Sequence, residues 1–422
     1  MKILIFTYEF PPFTGGAGVY SYDLGSGLAS LGVEVHVATC FHSQQGGDEN
    51  VHGLYQGLNM HFMSKWQFDQ NIAHSVLCRL HLKHQFDAVI VSDRYAQEIV
   101  ATMPPCGMPL VAIIHGTEIL DYFGRENIQL NVPSAEMAAF YRSVGVCIAV
   151  SKATLALACN LLKENASHFV AVQNGINLKR LAPCEKETVE EFRRNYGDDP
   201  EIVFSLARLD LDKGQDILIK AFRKIHQERS SARLVIGGDG PYRSHLEALV
   251  KSFHLEGVVS FVGKIPQTKL PSYFAGCDVF ALPSRSEKRW EGFGLVYLEA
   301  GFYEKSVVGG NEGGVPEAID DGDSGLIVDP RDEDAVASAI IRLLEDEKLR
   351  REMGKTGKRR VLDYFNSQRM AEETLNAIQS KGRQKKVLKS RLLWVAAFSF
   401  LKVINRTNLR RIFKRISKRW WL

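Results

Sequence analysis

Two carboxylates with seven residues between them stand out first, in Glu291-Gly-Phe-Gly-Leu-Val-Tyr-Leu-Glu299. Gly292 and Gly294 lead into a segment with helical character. The free N–H groups at the start of such a helix face an anion well. Glu291 falls in the loop and Glu299 on the helix. Carboxylates suit vicinal sugar or ribose hydroxyls, because each accepts two hydrogen bonds. The competing reading makes Glu299 one half of an ion pair on the helix face; Leu298 and Ala300 beside it argue for a buried helix. Arg208 and Lys213, just past a strand ending at Ala207, are the matching cations. Arg offers a planar fork and Lys a point charge, a combination suited to a diphosphate. They also fit a solvated turn in which Asp210 and Asp212 are their ion-pair partners.

Glycine-rich turns accompany these groups. Gly15-Gly16-Ala17-Gly18 follows the first strand and would let backbone N–H groups approach an anion, or simply make a tight turn. Gly237-Gly238-Asp239-Gly240-Pro241 lies between a strand and a helix and reads as a plain turn or as a ligand-facing one. Gly313-Gly314-Val315-Pro316-Glu317 opens another helix, with Pro early in it. His115 follows the strand Leu110–Ile114 and points toward the expected cleft, although a lone His is commonly structural. GxGxxG is absent, and Thr39 stands where a dinucleotide site needs an acidic ribose ligand, which disfavours a dehydrogenase. His81 and His84 share an i,i+3 spacing but lack a third ligand nearby, and His52 and His61 fall in a region read as a loop. No metal site is therefore expected.

The elements that must position these residues are short apolar runs alternating with helical patterns. Val35–Thr39, Ala88–Val91, Leu110–Ile114 and Cys147–Val150 form one series of strands after Met1–Phe6. Ile202–Ala207, Arg233–Gly237, Val258–Val262, Val279–Leu282 and Leu326–Val328 form a second. Such runs point to parallel sheets covered on both faces, and chemistry in these folds sits at the carboxyl ends of the strands. Residues 43–60 read as a loop. Pro183–Pro200, charged and poor in apolar residues, reads as the boundary. The expected organisation is an N-terminal Rossmann-like domain over 1–182 and a linker over 183–200. A second α/β domain over 201–363, an amphipathic helix over 364–380 and a tail over 381–422 complete it.

Length and composition agree with this division. At 422 residues the chain exceeds one ordinary core. Its 45% hydrophobic and 24% charged content is that of a globular protein. Seven widely spaced cysteines without a CxxC argue against a disulfide framework and for a reducing compartment. The first residues are too short an apolar run for a signal peptide, and no run of about 18 apolar residues suggests a membrane span. The charge is uneven: residues 381–422 hold 14 Lys/Arg and no Asp/Glu, leaving 39 basic against 49 acidic residues before them.

Taken in order, Gly15-Gly16, His115, Asn174-Gly175-Ile176-Asn177, Arg208 with Lys213, Glu291 with Glu299, and Gly313-Gly314-Val315-Pro316-Glu317 resemble glycosyltransferase family 4. The resemblance spans about residues 1–380. It implies a GT-B fold: two tandem doubly wound α/β domains with a shared cleft, in which the second domain, 201–363, binds the nucleotide-sugar and the helix over 364–380 crosses back to the first. It also implies transfer of a sugar with retention from a nucleotide-sugar, without a DxD motif, a metal or another cofactor. In that scheme Gly15 and Gly16 approach the donor, as would the turn at Gly238 and Asp239. Arg208 and Lys213 stabilise the departing diphosphate, and Glu291 meets the donor sugar. The backbone of Phe293, Gly294 and Leu295 adds phosphate contacts, Glu299 takes the ribose, and His115 lies near the reacting centre. Asn177 replaces the family's commoner Asp. The basic stretch Ser284–Trp290 is similar to that of some mannosyltransferases acting on membrane lipids, which leans toward GDP-mannose over UDP-sugars. A sugar-nucleotide epimerase of the same fold and a non-catalytic scaffold are the alternatives.

The tail adds a membrane expectation. Leu409, Ile412, Phe413, Ile416 and Trp420 follow a helical stripe, with Arg410, Arg411, Lys414, Arg415, Lys418 and Arg419 between them. Such a helix fits the plane of an anionic membrane, packing against the acidic body being the competing reading. The expected partners are thus a nucleotide-sugar, a lipid-linked or glycan acceptor such as a lipopolysaccharide precursor, and the cytoplasmic face of a membrane. Nucleic acid is not expected.

Overall fold

The computed structural model describes residues 1–12, 15–40, 55–64, 70–103, 107–126, 128–163 and 167–382. Their strands are β1 (Lys2–Thr7), β2 (Glu34–Cys40), β3 (Leu58–Met63), β4 (Ala88–Val91), β5 (Leu110–Ile114), β6 (Val146–Ala149), β7 (Phe169–Ala171), β8 (Glu201–Leu206), β9 (Ala232–Gly237), β10 (Val259–Gly263), β11 (Val279–Leu282), β12 (Ser306–Gly310) and β13 (Gly325–Val328). The first sheet runs β3-β2-β1-β4-β5-β6-β7 and the second β10-β9-β8-β11-β12-β13. Neighbouring strands are parallel throughout, as in β1 with β4 and β8 with β11. In each sheet the order reverses beside the first strand, between β1 and β4 and between β8 and β11. These are the switch points at which open α/β sheets bind ligands.

Alternation along the strands builds a core on both faces. Leu4 and Phe6 of β1 enter one cluster and Ile3 and Ile5 the opposite one. Val203 of β8 likewise faces away from Ile202 and Phe204. Continuous apolar runs such as Ala88–Val91 are wholly buried, which is why these strands were legible as runs and not as alternations. Helix starts are fixed by side-chain caps: Asp93 accepts from Ala96 N at 2.9 Å and Ser151 from Thr154 N at 2.9 Å.

The chain passes between the domains twice, at one place. Ile176 pairs with Asn366 as an isolated bridge, its N–H donating to Phe365 O at 2.9 Å. The helix Ser367–Gly382 then packs on the helix Gly16–Ser30 of the first domain. Met370, Ala371, Ala377 and Ile378 join that domain's core. A Cβ on Gly27 would lie 2.2 Å from Ser367 O, so the two helices meet backbone to backbone.

The structure departs from the sequence reading in four places, the first being the edge strand β7, Phe169–Ala171, which lies in neither series of strands read from the sequence. Leu58–Met63, partly assigned to a loop, is the edge strand β3, paired from Val35↔Leu58 to Cys40↔Met63. His61 is therefore on a strand. Leu58, Met60 and Phe62 alternate with Asn59 and His61, a period-2 signal that the polar residues before it obscured. β12, Ser-Val-Val-Gly-Gly, was not anticipated, because two of its five residues are glycines. Within 183–200, Lys186–Arg194 is a helix, and its Phe192 is buried against Ile202, Phe204 and Phe274 of the second core. The amphipathic pattern expected over 381–422 lies outside the described residues beyond Gly382.

Candidate active site

The second domain contributes the cations. β8 is followed by Arg208, whose guanidinium meets Asp210 at 2.7 Å and stays half exposed. A single turn, Leu211–Lys213, then brings Lys213 Nζ to 2.6 Å from Glu291 Oε2. Gly214 ends this turn at φ +69°, and a Cβ there would sit 1.9 Å from Pro283 O, so the loops after β8 and β11 touch through a glycine. Between them, Asp212 is buried. Its Oδ1 accepts from the backbone N–H groups of Glu287, Lys288 and Arg289 at 2.5–3.0 Å. Arg285 is also buried, in a two-pronged pair with Asp216 at 3.0 Å. Arg285 and the backbone of the stretch after β11 are thus engaged in shaping that loop, and the side chains of Lys288 and Arg289 are exposed. Arg289 remains half exposed, 3.4 Å from Asp210.

Glu291 is held from behind by its backbone. Gly314 N donates to Glu291 O at 2.8 Å, and a Cβ on Gly313 would come within 2.1 Å of that oxygen. Gly294, at φ +85°, then opens the helix Leu295–Phe302. The side chain of Phe293 is buried against Phe365, so only its backbone is available to a ligand. The N–H groups of the first helical residues, Leu295 among them, start beside this turn. Gly238, at φ +114°, lies against Ala207, where a Cβ would be 1.8 Å from the carbonyl oxygen. Its glycine is required by contact with the protein's own backbone. Asp239 O accepts from Leu209 N at 3.1 Å, so this turn is fastened beside Arg208.

The first domain meets this ledge with a different set of groups. Gly15 is the N-cap of the helix Gly16–Ser30, and a Cβ there would fall 1.9 Å from Glu9 Oε2, whereas a Cβ on Gly16 would meet nothing within 4 Å. Burial and Asp93 push the Glu9 carboxyl up in pKa, and Arg208 and Arg289 of the other domain oppose the shift. His115 Nε2 lies 2.9 Å from Ser92 O, which fixes a proton on Nε2 and makes Nδ1 the acceptor of the neutral ring. Its ring stands edge-on to Tyr20 at 5.2 Å. His115 is also where the domains meet, since a Cβ on Gly292 would be 2.6 Å from His115 O.

Three further groups had no role of their own in the sequence reading, although Trp290 and Glu317 fall in stretches it named. Trp290 crosses between the domains: its indole N–H donates to Thr154 Oγ1 at 2.9 Å, and its backbone N–H to Thr117 Oγ1 at 3.1 Å. Gly116, at φ +109°, leaves the room this indole occupies. Glu317 accepts from Lys152 N at 2.9 Å and Ala153 N at 2.8 Å, capping a helix of the opposite domain. Asp23 and Arg180 form the third case. Arg180 reaches Glu299 at 2.6 Å and Asp23 at 2.9 Å, all three nearly out of water. Burial pushes the Asp23 carboxyl up to about 6, with Arg180 opposing. Glu299 therefore has an ion-pair partner that orients its carboxylate. No local pattern announced Asp23 on its helix; Arg180 had one weak signal, its place directly after the Asn174–Asn177 turn.

The structure thus gathers Arg208, Lys213, Glu291, Gly238 and Asp239 around the β8/β11 switch point. It sets His115 against Gly292 and sends Glu299 toward the interdomain side.

Known proteins resemble this chain along most of its length. Residues 14–180 match the model of Glycosyltransferase Family 4 and residues 187–360 that of Glycosyl transferases group 1. An uncharacterized glycosyltransferase of Methanocaldococcus jannaschii is 30% identical over 397 residues, covering 91% of this chain and all of that one. The GDP-mannose-dependent alpha-(1-6)-phosphatidylinositol monomannoside mannosyltransferase of Mycolicibacterium smegmatis is 37% identical over 195 residues, 45% of this chain and 51% of its own. In three dimensions the chain is similar to the Anabaena protein HepE crystallised with UDP-glucose, at a TM-score of 0.73 and 19% identity over 90% of this chain and all of that one. The chain belongs to glycosyltransferase family 4 and is a hexosyltransferase of the GT-B fold.

Proposed function

We propose that the protein moves mannose from GDP-mannose, with retention, onto a lipid-linked or polysaccharide acceptor of the cell envelope, at the cytoplasmic face of the membrane. The observation that carries the reading is the cationic ledge at the β8/β11 switch point, where Lys213 stands 2.6 Å from Glu291 with Arg208 on the same loop. A leaving nucleoside diphosphate gains negative charge as the bond from its phosphate oxygen to the sugar anomeric carbon breaks. Arg208, Lys213 and the N–H groups opening the helix Leu295–Phe302 are the groups that stabilise that charge. The acceptor oxygen attacks the anomeric carbon from the face the diphosphate leaves. Its proton passes to the departing phosphate oxygen, so no protein nucleophile is needed. Glu291, already oriented by Lys213, accepts from the sugar hydroxyls, and Glu299, oriented by Arg180, from the ribose. His115 Nδ1 accepts a sugar hydroxyl on the first-domain side.

Two observations support the donor and the membrane. The matching mannosyltransferase is by name GDP-mannose-dependent and acts on a phosphatidylinositol mannoside, although the chain spans about half its length. The last 42 residues carry cations and no acidic group. Among the described residues no helix is long and apolar enough to cross a membrane, so attachment at the surface rests on that basic segment. The test is transfer into anionic vesicles bearing a lipid-linked acceptor, with GDP-mannose or UDP-glucose. It uses the full chain and one ending at Gly382. We expect an α-anomeric product from GDP-mannose, and loss of vesicle association in the shortened chain. Transfer only from UDP-glucose overturns the donor, and undiminished co-sedimentation of the shortened chain overturns the membrane role.

A further inference from the structure

Away from the cleft, three histidines converge on the outer edge of the first sheet. His36 lies near the amino end of β2, His61 on the edge strand β3, and His84 closes the helix Gln70–His84. The register pairs Ala38 with His61 and His36 with Asn59. His36 and His61 therefore share one face of the sheet, and His84 comes down on it. One ring nitrogen from each residue lies within 4.8 Å of the others. His36 Nδ1 and His61 Nε2 are 2.8 Å apart, and the three ring centroids stand 4.5–5.7 Å from one another. Phe86 stacks on His84 at 5.6 Å and meets His36 edge-on at 5.1 Å, an apolar wall that holds two of the rings.

We propose that His36, His61 and His84 form a site for a divalent transition metal of the zinc type, with a water completing a tetrahedron. Tetrahedral imidazole nitrogens about 2.05 Å from zinc stand about 3.3 Å apart. The His36–His61 contact opens by about 0.5 Å to reach that spacing, and His84 swings inward. His36 already has the hydrogen bonding of a metal ligand. His36 Nε2 lies 3.0 Å from Glu34 Oε1, so the proton is on Nε2 and the Nδ1 lone pair faces the cluster. A carboxylate behind a ligating imidazole is the usual outer support of such sites. His84 Nε2 is buried with no hydrogen-bond partner among the described residues. In the metal-free protein His61 Nε2 donates to His36 Nδ1, and a metal would take the place of that proton, which moves to His61 Nδ1 or to solvent. Lys2, 3.3 Å from Glu34, and Lys83 add positive charge nearby, which weakens the site without blocking it. Imidazole-only ligation selects Zn²⁺, Co²⁺, Ni²⁺ or Cu²⁺ over Mg²⁺ and Ca²⁺. The metal would tie β2, the edge strand β3 and a covering helix together, and the nucleotide cleft lies at the other end of the strands.

The full chain, free of any affinity tag, is titrated with Co²⁺ and Zn²⁺. Absorption, calorimetry and melting temperature are followed, with His61→Ala, His84→Ala and Glu34→Gln beside the parent. We expect one equivalent bound, weak d–d bands without thiolate charge transfer, and a melting temperature that rises with Zn²⁺. Each histidine variant weakens binding by at least about tenfold, and Glu34→Gln, an exposed position that leaves folding intact, by about tenfold. Absence of stoichiometric binding by the parent overturns the proposal. So does equal binding by parent and all three variants, or thiolate absorption, which would place the metal on cysteine.

Discussion

The two domains share the strand order 3-2-1-4-5-6, and the loops at their switch points carry different charged groups put to different uses. In the first domain these loops present Glu9 and Asp93. Asp93 is spent on structure: its Oδ2 accepts from Thr7 Oγ1 at 2.6 Å while its Oδ1 caps a helix. In the second domain the loop after the first strand presents Arg208 and Lys213, and the loop after the fourth presents Arg289 and Glu291, with both arginines half exposed. Topology thus supplies an address and side chains decide its use. An acid closed into its own loop makes a rigid wall, and a cation left half in water makes a site for phosphate.

The comparison can be broken first at Lys213. Lys213→Ala is expected to lower kcat by about 10²–10³, the usual effect of deleting one preorganised donor to a developing oxyanion, with little change in melting temperature. A drop below threefold in steady-state transfer would remove Lys213 from the reaction. The carboxylate at the first domain's switch point should respond in the other currency. Asp93→Ala strips a helix cap and leaves buried donors without an acceptor, a loss of about 2–4 kcal/mol in denaturant unfolding. An unchanged unfolding midpoint would refute the structural role given to it.

The smallest effect concerns Asp23, where the domains join. Its folded pKa, about 6, lies above the unfolded value near 4. Between those values the folded protein holds a proton that the unfolded chain has lost. The stability linked to Asp23 is therefore complete below about pH 4 and is lost as pH rises through about 6, on the order of 1–3 kcal/mol. Asp23→Asn should abolish that slope in melting temperature against pH. Parallel curves for the two proteins would show that Arg180 holds Asp23 ionised throughout.

Much of this was legible because strands buried on both faces spell continuous apolar runs, as Val279–Leu282 does. Glycine turns were legible too, but not their reason: Gly238 is glycine because Ala207 O lies against it, and Gly313 because Glu291 O does. What could not be read was pairing across sequence. Arg180 finds Asp23 157 residues away, and Trp290 fills the space over Gly116 from the other domain. The histidines of β2 and β3 meet only because an edge strand forms in a stretch taken for a loop. Side chains of this kind carry no spacing rule, since their separation is set by the path of the chain and not by the period of any helix or strand.

The helix Ser367–Gly382 has one more consequence, for the order in which the protein is made. Val172 and Met370 belong to the same core cluster, yet the whole second domain is translated between them. At about 5–20 residues per second, a ribosome needs roughly 10–40 s to cover that interval. The first domain emerges early and waits, with the face destined for Met370, Ala371 and Ile378 uncovered, while the second domain can complete its own sheet. The last domain to be synthesised is thus the first able to finish folding, and the nascent chain passes through a stage in which its older half depends on a helix not yet made.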